Sequence, residues 1–89
     1  MNNPKVKVEF YFNKKNNDLF AFFPDIVERT QAQPFTNKST KLFLCYSHVG
    51  QHSAVCKEYV KRSTRASEEQ YNNLAEELIS IGYNLQINN

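Results

Sequence analysis

Residues 44–59 read Leu-Cys-Tyr-Ser-His-Val-Gly-Gln-His-Ser-Ala-Val-Cys-Lys-Glu-Tyr, and they predict the central joint of the fold. The run up to Ser47 has the alternation of a strand, and Gly50 interrupts it. Beyond the glycine, mostly apolar positions recur with the spacing of an amphipathic helix. These positions are His52, Val55, Cys56, Tyr59 and Val60. The stretch therefore predicts a strand followed by a helix, with Ser53 as its start signal and an end near Arg62.

A β-hairpin is predicted before this joint. From Lys5 to Phe12, apolar and polar residues alternate as they do in a half-buried strand. The polar run 13–18, Asn-Lys-Lys-Asn-Asn-Asp, is typical of a turn, and a second strand-like run covers residues 19–23. The pattern predicts two antiparallel strands joined by this turn.

After the hairpin, the chain is expected to leave the sheet and return to it. Pro24 lacks the amide that a continuing strand needs, and residues 25–28 have the spacing of a capping box, which predicts a short helical turn. Residues 30–39 show little apolar periodicity and are expected to form a loop. A third strand is predicted at residues 40–47, with apolar side chains on both faces, as in a central strand.

The C-terminal third contains the clearest helix signal. Residues 67–70, Ser-Glu-Glu-Gln, form a second capping box, and an apolar stripe follows it as far as the stop signal Gly82. Alternation over residues 83–87 predicts a final short strand. The expected architecture is a two-layer α+β fold in a single domain, residues 1–89. Its sheet is mostly antiparallel, its order is β-β-β-α-α-β, and both helices lie on one face.

The composition is typical of a folded domain. Apolar residues make up 40% and aromatic residues 13% of the 89 residues, which argues against disorder. The sequence contains no apolar run of membrane-spanning length and no hydrophobic block of a signal peptide. We therefore expect a cytoplasmic protein without a membrane partner, in which both cysteines are reduced thiols.

Four cations gather along one segment, although the net charge of +2 is too small to indicate a nucleic-acid partner by itself. Cations near a helix C-terminus offset the helix dipole, and this is the reading we favour. The alternative is a contact with nucleic acid. The candidate basic patch consists of Lys57, Lys61, Arg62 and Arg65.

The cysteines and histidines form a candidate zinc set, Cys45, His48, His52 and Cys56. Thiolates and imidazoles are the ligands that zinc prefers, but structural zinc sites usually join separated ligand pairs, whereas this set would close on one local loop. Cysteine also commonly packs as a small apolar residue. A Cys–His nucleophile would lack a third orienting residue. We therefore expect structural roles, no metal or other cofactor, and no enzymatic activity.

The residues around the glycine are also a candidate binding site. A helix that began here would expose unpaired amides that favour anions. The structural alternative is that the glycine only permits the turn and the serine only caps the helix. The candidate residues are His48, Gly50, Gln51, His52 and Ser53.

Three segments resemble a family of small uncharacterised proteins from gut bacteria of the Bacteroides type and their mobile elements: Phe20–Asp25, Cys45–Ser53 and Glu76–Leu85. This resemblance covers nearly the whole chain and implies a compact α+β domain, without an established activity. The step Phe23-Pro24-Asp25 also resembles HicB-type antitoxins, which bind a toxin and often DNA. Here Ile26-Val27-Glu28 replaces the Leu-Pro-Gly that is common in that family, and a second helix is expected.

An apolar face is expected on the side of the sheet away from the helices. It would consist of Phe20, Phe22, Phe43 and Cys45. Exposed apolar patches usually meet a partner. We therefore expect a non-enzymatic interaction domain that forms a homodimer, or binds an unknown protein, through this face. The alternatives are an antitoxin-like or nucleic-acid-binding protein and, beyond that, a small zinc-binding domain.

Overall fold

A computed structural model describes residues 4–32, 35, 38–47 and 50–89. Within these residues the chain forms a small α+β domain with a mostly antiparallel sheet and two helices. In chain order the elements are β1 (Val6–Asn13), β2 (Asp18–Ala32), β3 (Ser39–Ser47), β4 (Gln51–Val55), α1 (Lys57–Lys61), β5 (Thr64–Arg65), α2 (Glu68–Ser80) and β6 (Leu85–Ile87).

The strands form one sheet in the order β4-β3-β2-β1-β5, and β6 pairs in parallel with the first part of β1. The predicted hairpin is confirmed, because β1 and β2 pair antiparallel from Glu9 opposite Phe22 to Asn13 opposite Asp18. Asn17 closes the turn with a φ of 49°, in the left-handed region that asparagine tolerates. The short strands β5 and β6 flank β1 on its other edge.

The predicted order β-β-β-α-α-β is wrong in two places. Residues 51–55 form strand β4 and not the first half of a helix, and α1 begins only at Lys57. Ser53 is therefore no helix cap, since Cys56 holds that position. The two-residue strand β5 also lies between the helices. Both departures arise because a neighbouring strand supplies hydrogen bonds that local sequence does not reveal.

Pro24 does not end β2, and the predicted helical turn at residues 25–28 is absent. The β2–β3 register shifts between Phe22 and Val27 and again before Arg29. These irregularities accommodate the proline, which lacks a backbone donor. On its other side, β2 pairs with β1 only as far as Phe22. The predicted loop at residues 30–39 is strand up to Ala32, and residues 33–34 and 36–37 lie outside the described residues.

The predicted C-terminal helix is confirmed as α2. The Gln70 amide donates to Ser67 Oγ at 3.4 Å, and the Ser67 amide donates to Gln70 Oε1 at 2.9 Å, which completes the capping box. The chain then turns at Gly82, whose φ is +114°, and enters β6.

The expectation that both helices lie on one face of the sheet is wrong. The side chains beneath α2 form one core, the α2-side core, which consists of Val8, Phe10, Ala21, Phe23, Tyr46, Ala66, Leu74, Ala75 and Leu78. The opposite face carries a second core beneath α1. This α1-side core consists of Tyr11, Phe20, Phe22, Phe43, Cys45, Val55 and Val60. The central strands are therefore covered on both faces, which explains why β3 is apolar on both.

Candidate functional site

Within the segment 44–59, strands β3 and β4 pair antiparallel, with Ser47 opposite Gln51 and Leu44 opposite Ala54. The Gly50 amide donates to the Ser47 carbonyl at 3.0 Å, and the φ of Gly50 is +85°, a value that favours glycine. The candidate residue His48 lies outside the described residues. Gln51, His52 and Ser53 are exposed on β4. No helix begins at these residues, so the argument for anion binding at a helix N-terminus does not apply to them.

The candidate zinc ligands that can be described do not converge on one point. Cys45 pairs with Ser53 across the hairpin, and Tyr46 pairs with His52. Because neighbouring positions on a strand point to opposite faces, Cys45 faces α1 and His52 faces the side of α2. Among the described residues, no three side chains of the Cys, His, Asp and Glu types form a metal-binding group.

The two cysteines occupy different environments. Both are free thiols; Cys45 is buried and Cys56 is partly exposed at the start of α1. The Cys45 Sγ lies 3.0 Å from the Ser53 Oγ, and burial raises the pKa of the Cys45 thiol above its usual value. A buried thiol whose pKa is raised is a poor nucleophile. Cys45 therefore packs as a small core residue.

His52 belongs to a polar cluster that the sequence analysis missed. Its Nε2 lies 2.7 Å from the Tyr83 hydroxyl oxygen, and its ring meets the ring of Tyr46 edge-on at 4.8 Å. The pKa of Tyr46 is raised, mainly by its side-chain hydrogen bond with Glu77 and to a lesser extent by burial. The second carboxylate oxygen of Glu77, Oε2, is buried without a hydrogen-bond partner. The cluster fastens the β3–β4 hairpin to the end of α2.

The apolar face expected to mediate self-association is covered within the chain itself. Phe20, Phe22, Phe43 and Cys45 are between 2% and 6% exposed, because they pack in the α1-side core. Val60 of α1 closes this core from above. The expectation that these four side chains form an exposed face is therefore wrong.

The outer edge of β4 is a different surface for association. Among the strands that the structure describes, β4 ends the order β4-β3-β2-β1-β5 and has a neighbour on one side only. Within residues 51–55 there is no proline and no charged residue. Edge strands of natural proteins usually carry such residues, which discourage pairing with another chain. Among the described residues, no strand pairs with the outward-facing amides and carbonyls of β4, so a further strand could pair with them.

Two of the four cations of the candidate basic patch lie against aromatic rings of the α1-side core. Lys57 lies over the ring of Phe43, with Nζ 5.2 Å from the ring centroid. Arg65 stacks on Tyr11 at 5.1 Å and lies 3.5 Å from a Glu9 carboxylate oxygen. Lys61 is exposed on α1. Two of the four cations are thus held by neighbours in the chain.

The fourth cation, Arg62, belongs to a cleft that the sequence analysis did not predict. The cleft has a volume of about 350 Å³ and lies between the β1–β2 turn and the end of α1. Lys14 and Lys15 line its turn side, and Arg62 lines its helix side. The available signal was the pair of lysines within a polar turn. Nothing local indicates which distant segment packs beside that turn.

Comparison of the chain with protein-family models, with curated proteins and with solved structures gave no match. The resemblances to the gut-bacterial family and to HicB-type antitoxins therefore gain no support from these comparisons. Among the described residues, neither helix has the length and apolarity required to cross a membrane.

Proposed function

We propose that this protein is a small, non-enzymatic, cytoplasmic binding domain that self-associates through the edge strand β4. The observation that carries the proposal is that Gln51, His52 and Ser53 are exposed on an outer strand without charges or proline. A strand edge of this kind is a template for β-sheet extension by another chain.

A second copy of the chain is the partner we propose. Most soluble homo-oligomers are two-fold symmetric, and two copies of an edge strand can pair antiparallel about such an axis. Centred on Ser53, this pairing uses all five residues of β4. It places Ser53 opposite its own copy and His52 opposite Ala54. The sheets of two copies would then join into one.

The opposite edge of the sheet supports the choice of β4. There the outer strands are β5, with two residues, and β6, with three. Very short edge strands are one of the ways in which proteins prevent pairing with other chains. Within the described residues, β4 is therefore the longer edge strand and lacks this protection.

The test compares Ser53→Lys with Ser53→Ala in sedimentation experiments at tens of micromolar protein. Both substitutions remove the contact between the side chains of Ser53 and Cys45. The two variants therefore lose this contact equally. Only Ser53→Lys sets two like charges directly opposite each other across the two-fold axis, which destabilises strand pairing. We expect the wild type and Ser53→Ala to be dimers and Ser53→Lys to be a monomer. A monomeric wild type, or a dimeric Ser53→Lys, would overturn the proposal.

Nucleic-acid binding, as in the antitoxin-like alternative, is the second candidate. The observation that favours it is that Lys14 and Lys15 join Arg62 beside one cleft. A zinc-binding function is not proposed, because Cys45 and His52 lie on opposite faces of the sheet.

A further inference from the structure

We infer that the cleft between the β1–β2 turn and the end of α1 binds the phosphate group of a nucleotide. The inference deepens the nucleic-acid candidate and does not depend on self-association through β4. Lys14, Lys15 and Arg62 line the cleft. Within the described part of the chain, none of these three cations forms an ion pair with a carboxylate.

Hydrogen bonds to distant residues hold the turn side of the cleft in place. Asn13 is 5% exposed; its Oδ1 accepts from the Asn16 amide at 3.1 Å, and its Nδ2 donates to Ser63 Oγ at 3.1 Å. Asn16 Nδ2 donates to the Tyr59 hydroxyl at 3.2 Å. The backbone that carries the lysines is thus tied to α1 before a ligand arrives. A site ordered in advance loses less entropy on binding.

At the end of α1, the carbonyl oxygens of three residues already accept hydrogen bonds within the chain, which reduces the negative potential that a helix C-terminus presents to an anion. The Arg62 amide donates to the carbonyls of Glu58 and Tyr59, and the Ser63 amide donates to the carbonyl of Val60. Ser63 Oγ also donates to the Tyr59 carbonyl at 3.0 Å. Among the described residues, no aspartate or glutamate lines the cleft; the nearby Asp18 accepts a hydrogen bond from the Tyr59 hydroxyl at 2.9 Å.

The chemistry of the three cations fits phosphate better than a single carboxylate. Arginine presents a planar fork that can bind two oxygens of one phosphate, and the two lysines act as point charges that can contact the same phosphate or neighbouring phosphates of a strand. A terminal phosphate carries close to two negative charges. At about 350 Å³ the cleft is large enough for a small ligand. Phe12 and Tyr59 also line it and offer aromatic surface beside the cations.

The first experiment measures binding of a fluorescent twelve-nucleotide oligo(dT) by anisotropy at several salt concentrations. About three phosphate contacts predict that log K falls with log salt with a slope of about −2. The double variant Lys15→Gln/Arg62→Gln should bind roughly 50-fold more weakly at 50 mM salt, with a slope of about −0.7. The control Lys5→Gln/Lys41→Gln removes the same charge from exposed positions outside the cleft and should stay close to the wild type.

The second experiment distinguishes a nucleic acid from a free phosphorylated molecule. Inorganic phosphate and dTMP are added while amide signals are followed by NMR, and the signals of residues 14–16 and 62–64 should shift. Shifts with dTMP but no oligo(dT) binding would support the phosphate site and remove nucleic-acid binding as the function. If neither probe binds, or if both double variants weaken binding equally, the inference is overturned. Sedimentation of Lys15→Gln/Arg62→Gln tests self-association through β4 separately, because both substituted residues lie outside that strand.

Discussion

Replacing Phe22 with leucine should lower the free energy of unfolding by about 2 kcal/mol. Phe22 is 4% exposed in the α1-side core. Its ring meets Tyr11 edge-on at 6.1 Å and Phe43 at 5.6 Å. Each such pair contributes about 0.5–1.5 kcal/mol beyond the area buried, so losing both costs about 1–3 kcal/mol. Leucine keeps most of the apolar volume, which limits any further cost.

Urea unfolding followed by circular dichroism measures this change, and the melting temperature should fall by about 8–16 °C. The matched control is Phe35→Leu, because Phe35 is fully exposed, and its stability should change by less than about 0.5 kcal/mol. The reasoning is refuted if the two substitutions have equal effects. It is also refuted if Phe22→Leu dissociates a dimer without destabilising the monomer, since Phe22 would then lie on the exposed face that the sequence suggested.

Two further predictions concern the titrating side chains. Cys56 should react with an aromatic disulfide at pH 8 much faster than Cys45, because Cys56 is partly exposed while Cys45 is buried with a raised pKa; rapid labelling that persists in Cys56→Ser would contradict this. Burial raises the pKa values of Tyr11, Tyr59 and Tyr83, and Glu77 raises that of Tyr46. A raised pKa means that the folded state holds the proton more tightly, so this contribution to stability is complete below about pH 10 and is lost as the pH rises through the raised values. Absorbance at 295 nm follows these ionisations, and in Glu77→Gln the midpoint of Tyr46 should move down, whereas an unchanged midpoint would remove Glu77 as the cause.

The placement of the two helices on opposite faces of the sheet has a functional consequence. Expecting both helices on one face left four apolar side chains without a cover, and these suggested a dimer. Instead, Val60 of the short helix α1 covers them. The association that we propose would then use another surface, and among the strands that the structure describes β4 has an open edge. The same helix ends at Arg62, beside the turn that carries Lys14 and Lys15.

Local signals correctly predicted the elements whose stabilising contacts lie close together in sequence. The β1–β2 hairpin depends on a polar turn between two alternating runs, and α2 depends on the capping box of Ser67 and Gln70. Each of these contacts joins residues a few positions apart. The sequence therefore determined the hairpin, the C-terminal helix and the α+β class by itself.

Tertiary structure decided the elements whose local pattern predicts a different structure. His52 and Val55 fit the apolar stripe of a helix, and only pairing with β3 makes residues 51–55 a strand. His52 bonds to Tyr83, which lies 31 positions away, and Asn13 bonds to Ser63 across 50 positions. Such contacts form only when segments distant in sequence come together. The sequence of residues 44–59 therefore could not predict that this segment contains the edge strand of the sheet.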